Sequence, residues 1–112
     1  MGILDHFKGG ELDCGPGMHV KTFKKAFKKE VGVDVKVYIK NSHTIAKDNA
    51  TLGSTKTDEF KGKGEEVKFK LAHKVGDVEK MFKKKMGVQI QILNKKGGLA
   101  ENSMKLGDLK RS

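Results

Sequence analysis

A pattern that returns after about 55 positions constrains this chain more than any other feature of it. Val20 to Tyr38 reads VKTFKKAFKKEVGVDVKVY, and Val75 to Leu93 reads VGDVEKMFKKKMGVQIQIL. Val20 aligns with Val75, Phe27 with Phe82, Gly32 with Gly87 and Val33 with Val88, while the alternating Val35 and Val37 fall on Ile90 and Ile92. A second match, offset by 54, pairs IAKDNATLG (Ile45 to Gly53) with LAENSMKLG (Leu99 to Gly107). This pattern predicts a duplication, with one repeat over residues 11–53, a linker over 54–65 and a second repeat over 66–109. A chain of 112 residues is too short for two independent domains of ordinary size, so 1–112 is expected to be one domain with a shared core.

Within each repeat the apolar spacing changes period. Val20, Phe23, Phe27 and Val31 recur every three or four residues between lysines, as on an amphipathic helix, and Gly32 suits the left-handed position that ends one. Val75, Val78, Phe82 and Met86 repeat that stripe and Gly87 repeats that stop. Val33 to Ile39 alternates at period two over β-branched residues, as do Glu66 to Leu71 and, more briefly, Glu11 to Cys14 before the Gly15-Pro16-Gly17 turn. Asp48 and Asn102 are candidate N-caps of short turns. A last helical turn is expected within Ser103 to Leu109, with a frayed end over Lys110 to Ser112. Ile3, Leu4 and Phe7 suggest another helical turn near the start, and Gly62-Lys63-Gly64 a mobile point in the linker.

These elements predict an α+β fold in which duplicated strand-helix-strand units form a four-stranded sheet with two helices on one face. The arrangement would be ferredoxin-like, with a β-grasp-related one as the alternative. The order helix, glycine, strand, then IAKDNATL or LAENSMKL is similar to the helix-to-strand half of ubiquitin-like domains, over about 30 residues per unit. The whole chain also resembles a set of small bacterial proteins built from two such units. That resemblance rests on Gly15 to Tyr38 and on Lys74 to Ile92. It implies the duplicated fold and carries no activity, cofactor or site residue.

A net charge of +10 favours anionic partners, but every basic residue except Arg111 is lysine. Base-edge and bidentate phosphate recognition lean on arginine, so a lysine surface points to non-specific attraction or simply to solvated helix faces. The candidate polyanion-binding residues are Lys21, Lys24, Lys25, Lys28 and Lys29 on the first helix and Lys80, Lys83, Lys84 and Lys85 on the second. Of the residues expected on the open sheet face only Tyr38 is aromatic, which argues against base stacking of the RNA-recognition kind.

A ferredoxin-like order would leave Val88, Gln89, Ile90, Gln91, Ile92 and Leu93 as an uncharged edge strand, the candidate partner-binding edge for another protein or a second copy. His6, His19, His43 and His73 fall at no recurring metal spacing, Cys14 has no assignable activating histidine, and no nucleophile motif occurs. The expectation is therefore a non-enzymatic protein with no cofactor or metal. Its function would be protein interaction through a sheet edge or a lysine-rich helical face, with sequence-nonspecific nucleic-acid binding as the alternative. The start MGILDHFKGG has no basic or apolar leader region, no run is long enough to span a bilayer, and a single cysteine suits a reducing compartment; together these predict a cytoplasmic protein without membrane contact.

Overall fold

The computed structural model describes residues 7–8, 11–40, 42–62 and 64–111. Its elements in chain order are β1 (Phe7–Lys8), β2 (Glu11–Cys14), α1 (Val20–Val31), β3 (Val35–Val37), a 3₁₀ turn (Gly53–Thr55), β4 (Val67–Lys70), α2 (Val75–Met86), β5 (Ile90–Ile92) and α3 (Leu106–Arg111). The helical stripes are those the spacing predicts: Val20, Phe23, Ala26, Phe27 and Val31 are buried on α1, and Val75, Val78, Phe82 and Met86 on α2. Both helices end in a left-handed glycine, Gly32 at φ 82° and Gly87 at φ 69°.

The fold is α+β, but its strands do not form one four-stranded sheet. β2 pairs antiparallel with β4, as a ferredoxin-like centre requires, and β1 adds to the outer side of β2. β3 and β5, expected on opposite edges, pair with each other instead in a separate antiparallel ladder. Period-two alternation states which side of a strand is buried and leaves its neighbour open. Here Val35, Val37, Ile90 and Ile92 still face the core, but they reach it by closing across the molecule.

Both ladders are centred on equivalent residues. Asp13 lies opposite Lys68 and Lys36 opposite Gln91, each pair 55 positions apart, so a local twofold axis relates the two halves. Backbone bonds recur in the same way. The amide of Tyr38 donates to the Gln89 carbonyl and that of Leu93 to Asp34, while Ala46 donates to Val37 and Ala100 to Ile92.

The halves share one core. Phe69 on β4 lies 6.1 Å from Phe27 and 5.8 Å from Phe82 between ring centroids, and Phe23 on α1 lies 5.2 Å from Phe82. All four rings are fully buried.

The segments outside the repeats differ from their sequence reading. Phe7–Lys8 is a strand rather than a helical turn, and residues 1–6 and 9–10 lie outside the described residues. Part of the 54–65 stretch is packed: Thr55 and Thr57 are buried, the Thr55 hydroxyl donates to the Leu52 carbonyl, and the Thr57 amide donates to the Gly87 carbonyl. Residue 63, within the expected mobile point, is not among the described residues. The terminal helix starts later and runs further than expected, because Leu106 and Leu109 are buried and carry the turn through Lys110 to Arg111. Among the described residues no helix is long and apolar enough to cross a membrane.

Two stability outcomes follow from this packing. Phe27→Ala and Phe82→Ala should each lower the unfolding free energy by about 3 to 5 kcal/mol in denaturant titrations, since each leaves a ring-sized void shared by both halves. Gly87 has a second constraint besides its positive φ: a Cβ there would meet Phe60 at 2.4 Å, whereas at Gly32 the nearest atom is 3.6 Å away. Gly32→Ala should therefore cost about 1 to 2 kcal/mol from backbone strain, and Gly87→Ala clearly more. Equal losses at the two positions would show that the Phe60 contact carries no weight.

Candidate functional site

The nine lysines singled out in the sequence fall into two groups of different character. On α1, Lys24 is half-buried and pairs with Asp48 at 3.4 Å, and Lys28 pairs with Asp34 at 3.7 Å. Lys21, Lys25 and Lys29 are exposed on the same helix. On α2, Lys80, Lys83, Lys84 and Lys85 are all exposed, and none enters an ion pair among the described residues. With helical spacing, Lys80 shares a face with Lys83 and Lys84, so the unpaired charges form a continuous strip.

That strip borders two hollows. One, of about 320 Å³, lies between α2 and β5, with Lys80 and Lys83 on one wall and Tyr38, Gln89, Gln91 and Asn102 contributing polar groups. The other, of about 360 Å³, is bounded by Lys84 and Lys85 and by Phe60, Lys61 and Glu65. In the first, the Tyr38 hydroxyl donates to Gln91 Oε1 at 2.6 Å, a bond that crosses the β3–β5 ladder, and the Tyr38 ring stands edge-on to His43. Tyr38 is only 6% exposed, so it offers no free face for stacking a base.

Glu79 was not singled out by sequence, although the signal was there: the corresponding position in the first half is Lys24. The carboxylate lies in the first hollow, half-buried, and accepts a hydrogen bond from the Ile92 amide at 2.9 Å. Burial raises its pKa above the ordinary carboxylate value, and the Ile92 bond partly opposes the rise. The loop partner changes in step. Asp48, which pairs with Lys24, is replaced at the corresponding position by the neutral Asn102, which lines the Glu79 hollow.

The proposed docking strand Val88–Leu93 is not an open edge. β3 occupies one side of it, and on the other the Ile92 amide and carbonyl are taken by Glu79 and by the Ala100 amide. Val88, Ile90, Ile92 and Leu93 are buried. Uncharged residues with high strand propensity suit an interior strand as well as an edge, and the strand order decides between the two.

The remaining candidates carry no chemistry of their own. Cys14 is buried, and burial, followed by the nearby Asp13 and Glu66 charges, pushes its thiol far up, away from the reactive thiolate. Among the described residues no group of three or more His, Cys, Asp or Glu side chains is placed to hold a metal ion. The helix start after Gly15-Pro16-Gly17 is partly closed to anions, because the Val20 and Lys21 amides donate to the Ala50 and Asp48 carbonyls at 2.8 and 3.0 Å. The α2 start is closed the same way, Val75 donating to Met104 and Gly76 to Asn102. Asp48 and Asn102, expected as N-caps of their own short turns, serve the N-termini of α1 and α2 through their backbone carbonyls.

The raised Glu79 pKa has a definite sign in stability. A carboxyl whose native pKa exceeds its unfolded one binds more protons in the native state, so its contribution is fully present below the unfolded pKa. It is lost as pH rises from there through the native value. Glu79→Gln should remove that fall from the pH–stability curve while keeping an acceptor for the Ile92 amide, and should not lower stability at neutral pH. Unfolding curves from acid to neutral pH check this; an unchanged fall would place its origin elsewhere.

Comparisons of the chain with protein-family models, with curated proteins and with solved structures found no match, and its chemistry has to be taken from its own side chains.

Proposed function

We propose that this chain is a non-catalytic interaction module that holds an acidic partner protein against the lysine strip of α2. The observation that supports this reading is the contrast between the two helices. On α1 the charge is partly neutralised within the molecule by Asp48 and Asp34, whereas the four α2 lysines keep theirs and border both hollows. Unpaired lysines on a surface of net charge +10 attract anions over a Debye length, about 8 Å at physiological salt, and so speed encounter with an acidic surface.

Nucleic acid is the second anionic class, and the site suits it less. The strip has no arginine fork, and of the two aromatic side chains beside it Tyr38 is buried and Phe60 is half-buried against Gly87. Phosphate attraction alone would give sequence-independent binding with a steep salt dependence.

Binding to fluorescent poly-glutamate and to random-sequence DNA and RNA, from about 50 to 200 mM salt, separates these classes, since phosphate-driven affinity collapses over that range. Reversing Lys80, Lys83, Lys84 and Lys85 to glutamate should abolish capture of poly-glutamate. Reversing Lys21, Lys25 and Lys29, which are as exposed, should leave most of it. Equal losses from the two sets would show a diffuse charge effect and no site on α2, and a clear preference for nucleic acid would transfer the reading to the second class.

A further inference from the structure

The two halves differ in how they treat the outer side of their first core strand. In the first half β1 folds back on β2, with Phe7 opposite Leu12 and Lys8 opposite Glu11. In the second half the chain before β4 goes elsewhere: Phe60 packs against Gly87, and the Gly62 carbonyl accepts a bond from the Lys56 ammonium at 2.7 Å. Among the described residues, β4 is therefore left as an edge of its sheet.

The backbone groups on that edge can be assigned. The Lys70 amide donates to His73 Nδ1 at 2.8 Å, so it points away from β2. Antiparallel strands alternate between pairs that exchange backbone bonds and pairs that do not, so the amide and carbonyl of Lys68 point outward as well, and those of Glu66 would follow on extending β4 by one residue. Val67 and Phe69 are fully buried in their own core, and Glu66, Lys68 and Lys70 are exposed on the opposite face.

We propose that β4 is the edge through which two copies of this chain join as a twofold dimer, antiparallel and centred on Val67, making one continuous sheet with three strands from each copy. Lysines on an edge normally deter pairing. Here Glu66 precedes Lys68 by two residues, and the two pair loosely within one chain at 3.7 Å. The Val67-centred register sets Glu66 against the partner's Lys68 on both sides of the axis. With β4 extended through Glu66, both would be pairs that exchange backbone bonds. Lys70, whose amide is already used, then faces the partner's Gly64 and meets no like charge. The neighbouring register, centred on Lys68, would oppose two lysines directly. A second cation arriving at Glu66 also offsets the nearby Asp13 carboxyl, which raises the Glu66 pKa. An unrelated extended segment would need its own matching charges; a second copy has them by symmetry.

The test uses the full chain and its ability to cross-complement. Sedimentation should show a reversible monomer–dimer equilibrium between about 10 μM and 1 mM, the range expected of a small edge contact. Glu66→Lys and Lys68→Glu should each weaken the homodimer by about tenfold, because each creates two like-charge pairs. An equimolar mixture of the two variants should dimerise again, since every position 66 then faces a position 68 of opposite charge in the other copy. An isotope-filtered spectrum of half-labelled protein should show a contact between the Val67 α-protons of the two copies. A monomer throughout the range, a mixture that stays monomeric, or a dimer without the Val67 contact would each overturn the proposal.

Discussion

The ladders that build this core each take one strand from either half, and everything else in the structure depends on that exchange. β2 finds its core-side neighbour in β4 and β3 finds its own in β5, so neither half can satisfy the backbone of its strands alone. The aromatic core makes the same demand, because Phe23 of the first half and Phe69 of the second each lie next to both Phe27 and Phe82. A unit of about 45 residues would bury too little apolar surface to stand by itself. Joined about a local twofold, two such units bury Phe23, Phe27, Phe69 and Phe82 completely and need one core between them.

The helices are set into this frame through their N-termini. Neither His19 nor Lys74, the residues before the first turns, makes a side-chain cap. The leading amides are met instead by carbonyls of the segment that follows the strand of the same half, at Asp48 and Ala50 for α1 and at Asn102 and Met104 for α2. This gives IAKDNATLG and LAENSMKLG a structural purpose: each returns from the strand to close its own helix. The small residues in these contacts are placed accordingly, since a Cβ on Gly76 would meet Asn102 at 3.0 Å and one on Gly53 would meet Pro16 at 3.0 Å.

Sequence made the helices legible almost to the residue, because a three-to-four spacing of Val and Phe ended by a left-handed glycine has few other solutions. The strands were legible in position and largely in facing: Leu12, Cys14, Val35, Val37, Phe69, Ile90 and Ile92 are all buried as their alternation predicts, but Tyr38 and Leu93, expected on the open face, are buried too. Strand neighbours were not legible. A three-residue strand such as Ile90–Ile92 carries no mark of whether its outer amides will meet another strand, a loop or, at Ile92, the side chain of Glu79. The lysines were legible as a charged surface, but the acids that neutralise Lys24 and Lys28 lie on other elements, so the split between the helices appears only in three dimensions.

The places where the halves stop matching are where the surface acquires character. Positions serving the core and the helix ends keep their type across the offset, as Phe27 and Phe82 or Gly32 and Gly87 do. The pair Lys24–Asp48 becomes Glu79 beside Asn102, which exchanges a solvated ion pair for a half-buried carboxylate in a hollow. Loss of the Asp48-type partner also leaves the lysines of α2 without a neutralising acid from that loop, while α1 keeps one. At the other end of the axis, β1 closes the edge of β2, and the packing of Phe60 on Gly87 draws the equivalent chain away from β4. An exact duplication would present each surface twice, in matched form. Among the described residues, the divergence of this one leaves the four α2 lysines without ion-pair partners and β4 without the added strand that β2 has in β1.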